Sequence, residues 1–148
     1  SAAFSVRWDS AATGTAEAGP AGSEPLLERQ QTIPQPAVSL PAGGPYCLIA
    51  WDPDAVQPSW LHWLIINIPG GSNASKGSTV VPWTPPTPPP GTGTHHYIFG
   101  LFLQSGPIEP TALGALTRPL FNPSRFAEQH GLRQVDDKRI AVSASPLA

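Results

Sequence analysis

Three observations predict that this 148-residue chain is mainly β. Twenty prolines and 14 glycines recur without a period and leave little room for long helices. Short runs either alternate apolar and polar residues or are apolar throughout, the patterns of half-buried and fully buried strands. Helix-start and helix-stop signals coincide in a single segment near the C-terminal end. The length and a 40% hydrophobic content suit one core, so residues 1–148 are read as a single domain.

In chain order, Phe4-Ser-Val-Arg-Trp8 alternates as a half-buried strand should. Residues 10–30, rich in Ala, Gly, Ser and Glu, read as a surface loop with a brief extended piece near Leu26 and Leu27. Pro36 to Leu40 and Tyr46 to Trp51 supply two more strands. The second of these holds the single cysteine, Cys47, so no disulfide forms within the chain. Leu61 to Ile68 is apolar apart from His62 and Asn67, as a central strand would be, and stops at Pro69-Gly-Gly71. His96 to Leu103 is a second such strand, with Gly100 marking a bulge or a close backbone approach. These two apolar strands are expected to be sheet neighbours.

The helix is expected over Asn122 to Gly131, where Asn122 can cap, Pro123 suits the first turn and Gly131 the stop. Beyond Leu132, a charged turn around Asp136 to Arg139 is expected to lead into a last strand at Ile140 to Ala144.

Composition narrows function. With 12% charged residues and a net charge of -2, the chain lacks the basic stripe that a nucleic-acid partner requires. No run approaches the roughly 20 apolar residues of a transmembrane segment, and no basic-then-apolar leader opens the chain. A soluble, cytoplasmic protein is the expectation. There is no two-His helical pair or Cys-containing zinc motif, so neither metal nor cofactor is expected. Asn73-Ala-Ser75 matches a glycosylation acceptor but carries no meaning without secretion. Pro85 to Pro90 has the composition of a polyproline ligand.

Three polar clusters sit beside apolar sequence: Asp52-Pro-Asp54, His62, and Thr94-His-His-Tyr97. Period two places His62 on the face of Leu64, Ile66 and Ile68, and His95 with Tyr97 on the face of Phe99 and Leu101. Alone, Asp-Pro-Asp reads as a turn and His62 as a satisfied core histidine. Converging at one rim, two aspartates, two histidines and a tyrosine would make a small polar pocket.

The order and spacing of these clusters resemble the phosphatidylethanolamine-binding protein family, which includes kinase-inhibitory members and plant flowering regulators. Asp52-Pro-Asp-Ala55 resembles an Asp-Pro-Asp-Ala-Pro element, and Trp60 to Gly70 resembles the family's His-bearing apolar strand. Gly91-Thr-Gly-Thr-His-His-Tyr97 is similar to its Gly-x-His-Arg-Tyr element, and Phe121 to Ala127 to a helix start of the plant-like branch. The resemblance runs from about Phe4 to Leu132 and implies a β-sandwich-like core with long loops and one or two short peripheral helices. It further implies a pocket for a phosphate-bearing small molecule or lipid headgroup. Asp52, His62, His95 and Tyr97 match pocket positions, Asp54 and Trp60 its surround, and Gly91 and Gly93 a loop whose backbone approaches the ligand. The family's proline-rich connection, packed beside the pocket, falls at Pro85 to Pro90.

The chain also departs from the pattern. His96 stands where the family has Arg, which implies loss of an Asp–Arg ion pair, and Val56 replaces a proline beside the pocket. The usual N-terminal lead-in and C-terminal helix are missing, which implies a more open pocket. An apolar surface around Trp8, Trp83 and the C-terminal side is a candidate interface. The resemblance implies a non-enzymatic module that binds a small anion or phospholipid headgroup and regulates a protein partner; no nucleophile elbow supports Ser-His-Asp catalysis. The alternative is a structural component of a larger particle or assembly, with a vestigial pocket.

Overall fold

The computed structural model describes residues 3–147. Nine strands form two sheets. Strands β1 (Ser5–Ser10), β2 (Gly14–Glu17) and β4 (Ala37–Ser39) make a small antiparallel sheet in the order β2-β1-β4. The remainder, β3 (Leu26–Leu27), β5 (Tyr46–Asp52), β6 (Trp60–Ile68), β7 (Ser78–Val81), β8 (Thr94–Leu103) and β9 (Arg133–Ser143), form a six-stranded sheet ordered β3-β9-β8-β5-β6-β7.

Two cores follow from the two faces of the large sheet. On one face, Leu48, Ala50, Trp63, Ile65, Tyr97, Phe99, Leu101, Ile140 and Val142 pack against Phe4, Val6, Trp8 and Val38 of the small sheet, which makes the sandwich. On the other face, Cys47, Ile49, Leu61, Leu64, Ile66 and Phe102 are covered by Leu113, Phe121 and helix α1 (Pro123–Gln129) through Phe126 and Ala127. Because both faces are covered, β5 and β6 are apolar almost throughout rather than alternating. The helix begins as expected, with the Asn122 side chain accepting the Arg125 N–H, and Gly131 follows it at φ 63°. No helix among the described residues is long and apolar enough to cross a membrane.

Several expectations are corrected. The two apolar strands β6 and β8 are not neighbours; β5 lies between them and pairs with both. Residues 10–30 are more ordered than a loop: β2 folds back on β1, with Ser10 Oγ accepting the Ala12 and Thr13 N–H groups in the turn. Asp136 to Arg139 is no turn, since β9 pairs with β8 from Arg133–Leu103 to Thr94–Ser143. That ladder is held by backbone hydrogen bonds, which leave no apolar period where the strand faces solvent. Gly100 meets side chains rather than backbone: a Cβ there would lie 2.8 Å from Phe102 Cε1 and 2.9 Å from Trp51 Cζ3, and the bulge falls between Leu101 and Phe102. Trp8 is buried against Trp83 and Phe99 at centroid distances of 6.2 and 5.8 Å, so Trp8 fills the sandwich and adds nothing to an apolar surface, whereas Trp83 is only partly buried.

Candidate functional site

The site forms where β5, β6 and β8 end on one side of the large sheet. Strand β5 delivers Asp52, and the Asp-Pro-Asp turn is closed by Asp52 Oδ1 accepting the Asp54 N–H at 2.7 Å. Asp52 Oδ2 is left to face β8, where His95 Nδ1 stands 2.7 Å away, both side chains almost fully buried. Tyr97 lies two residues further along the same face, its ring nearly parallel to that of His95.

Strict period two misplaces His62. The pairing of β5 with β6 slips between Ala50–Trp63 and Trp51–Leu61, and this bulge rotates His62 to the sandwich face, away from Leu64 and Ile66. The His62 ring stands edge-on to Tyr97 at 5.1 Å and packs on Trp60 at 4.6 Å. Arg118, from the segment before α1, donates to the carbonyls of Leu61, His62 and Pro82 and sets its guanidinium 5.3 Å from the Trp60 ring centroid.

Asp52, Trp60, His62, His95 and Tyr97, but not Arg118, line a cavity of about 350 Å³ with Ala55, Val56, Gln57, Thr87, Pro88 and Pro89. Of the sequence-predicted residues, Asp52, Trp60, His62, His95 and Tyr97 come together there. Asp54, Gly91 and Gly93 do not line it. Asp54 turns outward and accepts from both the backbone N–H and Nδ1 of His96 at 2.8 Å, so the lost Asp–Arg pair is replaced by Asp54–His96. Gly91 and Gly93 have φ of 79° and 81° and bind the C-terminal stretch: Gly91 N donates to Ser145 O, and Gly93 O accepts from Ala144 N. The pattern also missed Thr92, Arg118 and the carbonyl of Thr84, which orient the histidines and Trp60. Thr92 lies inside the quoted glycine-rich motif, but a hydroxyl in a loop carries no distinguishing sequence signal.

Hydrogen-bond accounting fixes where protons sit. Thr92 Oγ1 lies 2.6 Å from Pro89 O, an acceptor only, so its hydrogen goes there. The same oxygen, 2.8 Å from His95 Nε2, must then accept, which puts a hydrogen on Nε2. Between His95 Nδ1 and Asp52 Oδ2 there is one further proton, so the pair is net neutral whichever atom holds it. Burial pushes the Asp52 carboxyl above its ordinary range, opposed by the His95 hydrogen bond. Burial also tends to raise Asp54, but its bonds from His96 prevail and hold it below the usual value.

His62 Nδ1 lies 2.5 Å from Thr84 O and donates to it. Burial pushes the His62 pKa down to about 4, with the charges of Arg118 and His95 acting in the same direction. Burial, with Asp52 and Asp54 nearby, moves the Tyr97 phenol upward, so it stays a hydrogen-bond donor. Among the described residues no group of three His, Cys, Asp or Glu side chains is arranged to hold a metal ion.

The sequence profile of the phosphatidylethanolamine-binding protein family matches residues 15–136. The chain belongs to this family. It is 39% identical over 94 residues to the MOTHER of FT and TFL1 homolog 2 protein of Oryza sativa, covering 59% of this chain and 53% of that one. It is 36% identical over 119 residues to the 26 kDa secreted antigen of Toxocara canis, covering 72% and 45%. The chain thus spans about half the length of the curated relatives it matches. Among solved structures, a carboxypeptidase Y inhibitor in complex with its cognate proteinase superposes with a TM-score of 0.77 at 15% identity, covering 95% of this chain and 83% of that one. The family protein from Plasmodium vivax gives 0.69 at 17% identity, covering 96% and 85%. These two likenesses show the mainly-β fold of the family.

Proposed function

We propose that this family member binds a small phosphate-bearing anion, free or as part of a lipid headgroup, and thereby regulates a protein partner without catalysing a reaction. The observation that carries this reading is the convergence of Asp52, His62, His95, Tyr97 and Trp60 on one partly open cavity of about 350 Å³, a volume suited to a small ligand. The Tyr97 hydroxyl has no hydrogen-bond partner among the described residues and is available to a ligand oxygen. Asp52 and Thr92 hold His95 from both ring nitrogens, so the wall is oriented before a ligand arrives.

The regulatory part of the reading draws on relatives. One matched relative carries the name BROTHER of FT and TFL 1, and one structural neighbour is an inhibitor bound to a proteinase. Another relative is named a secreted antigen, so kinship by itself assigns no compartment. The test is calorimetric titration with phosphoethanolamine near pH 6, with His95→Ala as control. Saturable binding lost in the variant supports the reading. Absence of binding to the folded wild-type protein sinks it and favours a structural part of an assembly.

A further inference from the structure

We infer that the cavity takes its anion together with one acid proton, and so selects phosphomonoesters that keep a P–O–H group over sulfates and phosphodiesters that have none. This rests on the anion-pocket reading above and narrows its ligand class to free phosphomonoesters and lipid headgroups whose phosphate is a monoester, leaving out diester headgroups. The first support is the tautomer of His62. Its Nδ1 is committed as a donor to Thr84 O, so the neutral ring presents Nε2 as a lone pair. No protein donor among the described residues reaches Nε2, and it is not sealed in the interior: Trp63 Nε1 is the buried side-chain polar atom there without a partner. Nε2 therefore opens on the cavity that His62 lines. A bare phosphate or sulfate oxygen against that lone pair is repelled, whereas a P–O–H donates to it.

The second support is charge. The cavity lining contains no Lys or Arg. The Asp52–His95 pair is net neutral by the hydrogen-bond accounting above. The neighbouring cation is Arg118, behind Trp60, where Nη1 and Nη2 donate to the carbonyls of Leu61, His62 and Pro82. One cation behind the wall balances one negative charge on the ligand; a second negative charge would be buried without a partner.

The groups facing His62 are Asp52 from β5, His95 and Tyr97 from β8, the Thr84 carbonyl from the proline-rich segment, and Arg118 from the segment before α1. Arg118 and His95 both oppose a charge on the ring. With the His62 pKa at about 4, charging it at pH 7 to meet an anion that brings no proton weakens binding roughly a thousandfold. A phosphomonoester, whose second ionisation lies near pH 6, supplies its own proton at a cost of only about tenfold. Phosphomonoesters are thereby favoured roughly a hundredfold at neutral pH, and the gap narrows as pH falls.

The test is calorimetric titration of the wild-type chain with monomethyl phosphate, dimethyl phosphate and methyl sulfate from pH 5 to 8. These probes have no ammonium that could donate in place of the acid proton. At pH 7 monomethyl phosphate is expected to bind at least about 30-fold more tightly than the other two, with affinity falling by about tenfold per pH unit above pH 6. Titrations at pH 8 in two buffers of different ionisation enthalpy should register uptake of about one proton. His62→Asn retains an amide donor for Thr84 O but deletes Nε2, and should reduce the preference to a few-fold. Equal binding of the three probes, or a flat pH profile for monomethyl phosphate, overturns the inference while leaving the anion pocket standing. Failure of all three to bind at any pH overturns both. The ligand series stands on the wild-type protein, so misfolding of the variant would not remove the test.

Discussion

His95 is held from both sides, by Asp52 Oδ2 at Nδ1 and by Thr92 Oγ1 at Nε2, at 2.7 and 2.8 Å. The imidazole is thus fixed in position without being turned into a free donor. A ligand reaching for Nε2 would have to displace Thr92, so His95 shapes the wall and Tyr97 beside it supplies the available hydroxyl. The two contacts come from distant segments, the end of β5 and the loop before β8, and that loop is tied to Pro89 by the same threonine.

Thr92→Val removes the hydroxyl at nearly constant shape. The variant should lose about 1–2 kcal/mol of stability, because the buried imidazole N–H loses its acceptor while Pro89 O keeps only the Thr92 backbone N–H. Phosphoethanolamine affinity should fall several-fold as the loop carrying Pro88 and Pro89 loosens. Urea unfolding and calorimetry measure the two effects; unchanged values of both would mean that Thr92 does not position His95.

Gly91→Ala separates two roles for the glycine-rich loop. Its φ of 79° disfavours a side chain, and a Cβ would lie 2.5 Å from Leu147 Cγ. Leu147 is exposed and can move, so the expected cost is about 1 kcal/mol. Since Gly91 does not line the cavity, anion affinity should change by less than about threefold, under 0.7 kcal/mol. A much larger loss of affinity would show that the loop backbone approaches the ligand after all.

Most of the sheet was legible because β5, β6 and β8 are apolar runs with sharp turn boundaries, and the helix because Asn122, Pro123 and Gly131 punctuate it. Strand β2 escaped notice because among its four residues only Ala16 is buried, and the outer half of β9 because its charged residues face solvent. The convergence of Asp52, His62, His95 and Tyr97 could be read from strand ends. The face of His62 could not, because His62 is itself the extra residue of the bulge between Trp63 and Leu61, which inverts every parity argument from there upstream. Arg118 was illegible for a different reason: it is 56 residues away in sequence from the carbonyl of His62 that it binds, and no local pattern announces such a contact.

His96→Arg tests the departure beside the pocket. His96 stands between Asp54, 2.8 Å from Nδ1, and Glu24, 3.8 Å from Nε2, with its ring partly exposed. A guanidinium would add a permanent charge between the two carboxylates at a site water can screen. The expected gain at neutral pH is small, about 0.2–1 kcal/mol, and should shrink in high salt. Thermal unfolding at low and high ionic strength measures it; a loss of stability would mean that the longer side chain cannot be placed between Asp54 and Glu24.

His62 gives the protein a pH dependence of definite sign. Its ordinary value is 6.5 and burial lowers it to about 4, so between these limits the unfolded chain binds a proton that the folded chain refuses. Stability from this group is complete above about pH 6.5 and is lost as pH falls towards 4, by about 3 kcal/mol in all. Asp52 acts oppositely: with its folded value raised, the folded state keeps a proton that the unfolded state releases, so its contribution falls as pH rises through that window. The raw stability curve mixes the two. The difference between wild type and His62→Asn isolates His62, and urea unfolding from pH 4 to 7 should show the wild-type advantage growing with pH. A difference that stays constant over that range would mean that His62 takes up its proton as readily in the folded protein as in the unfolded chain. Charging the ring at pH 7 would then cost only about a few-fold, and the hundredfold ligand preference argued above would shrink with it.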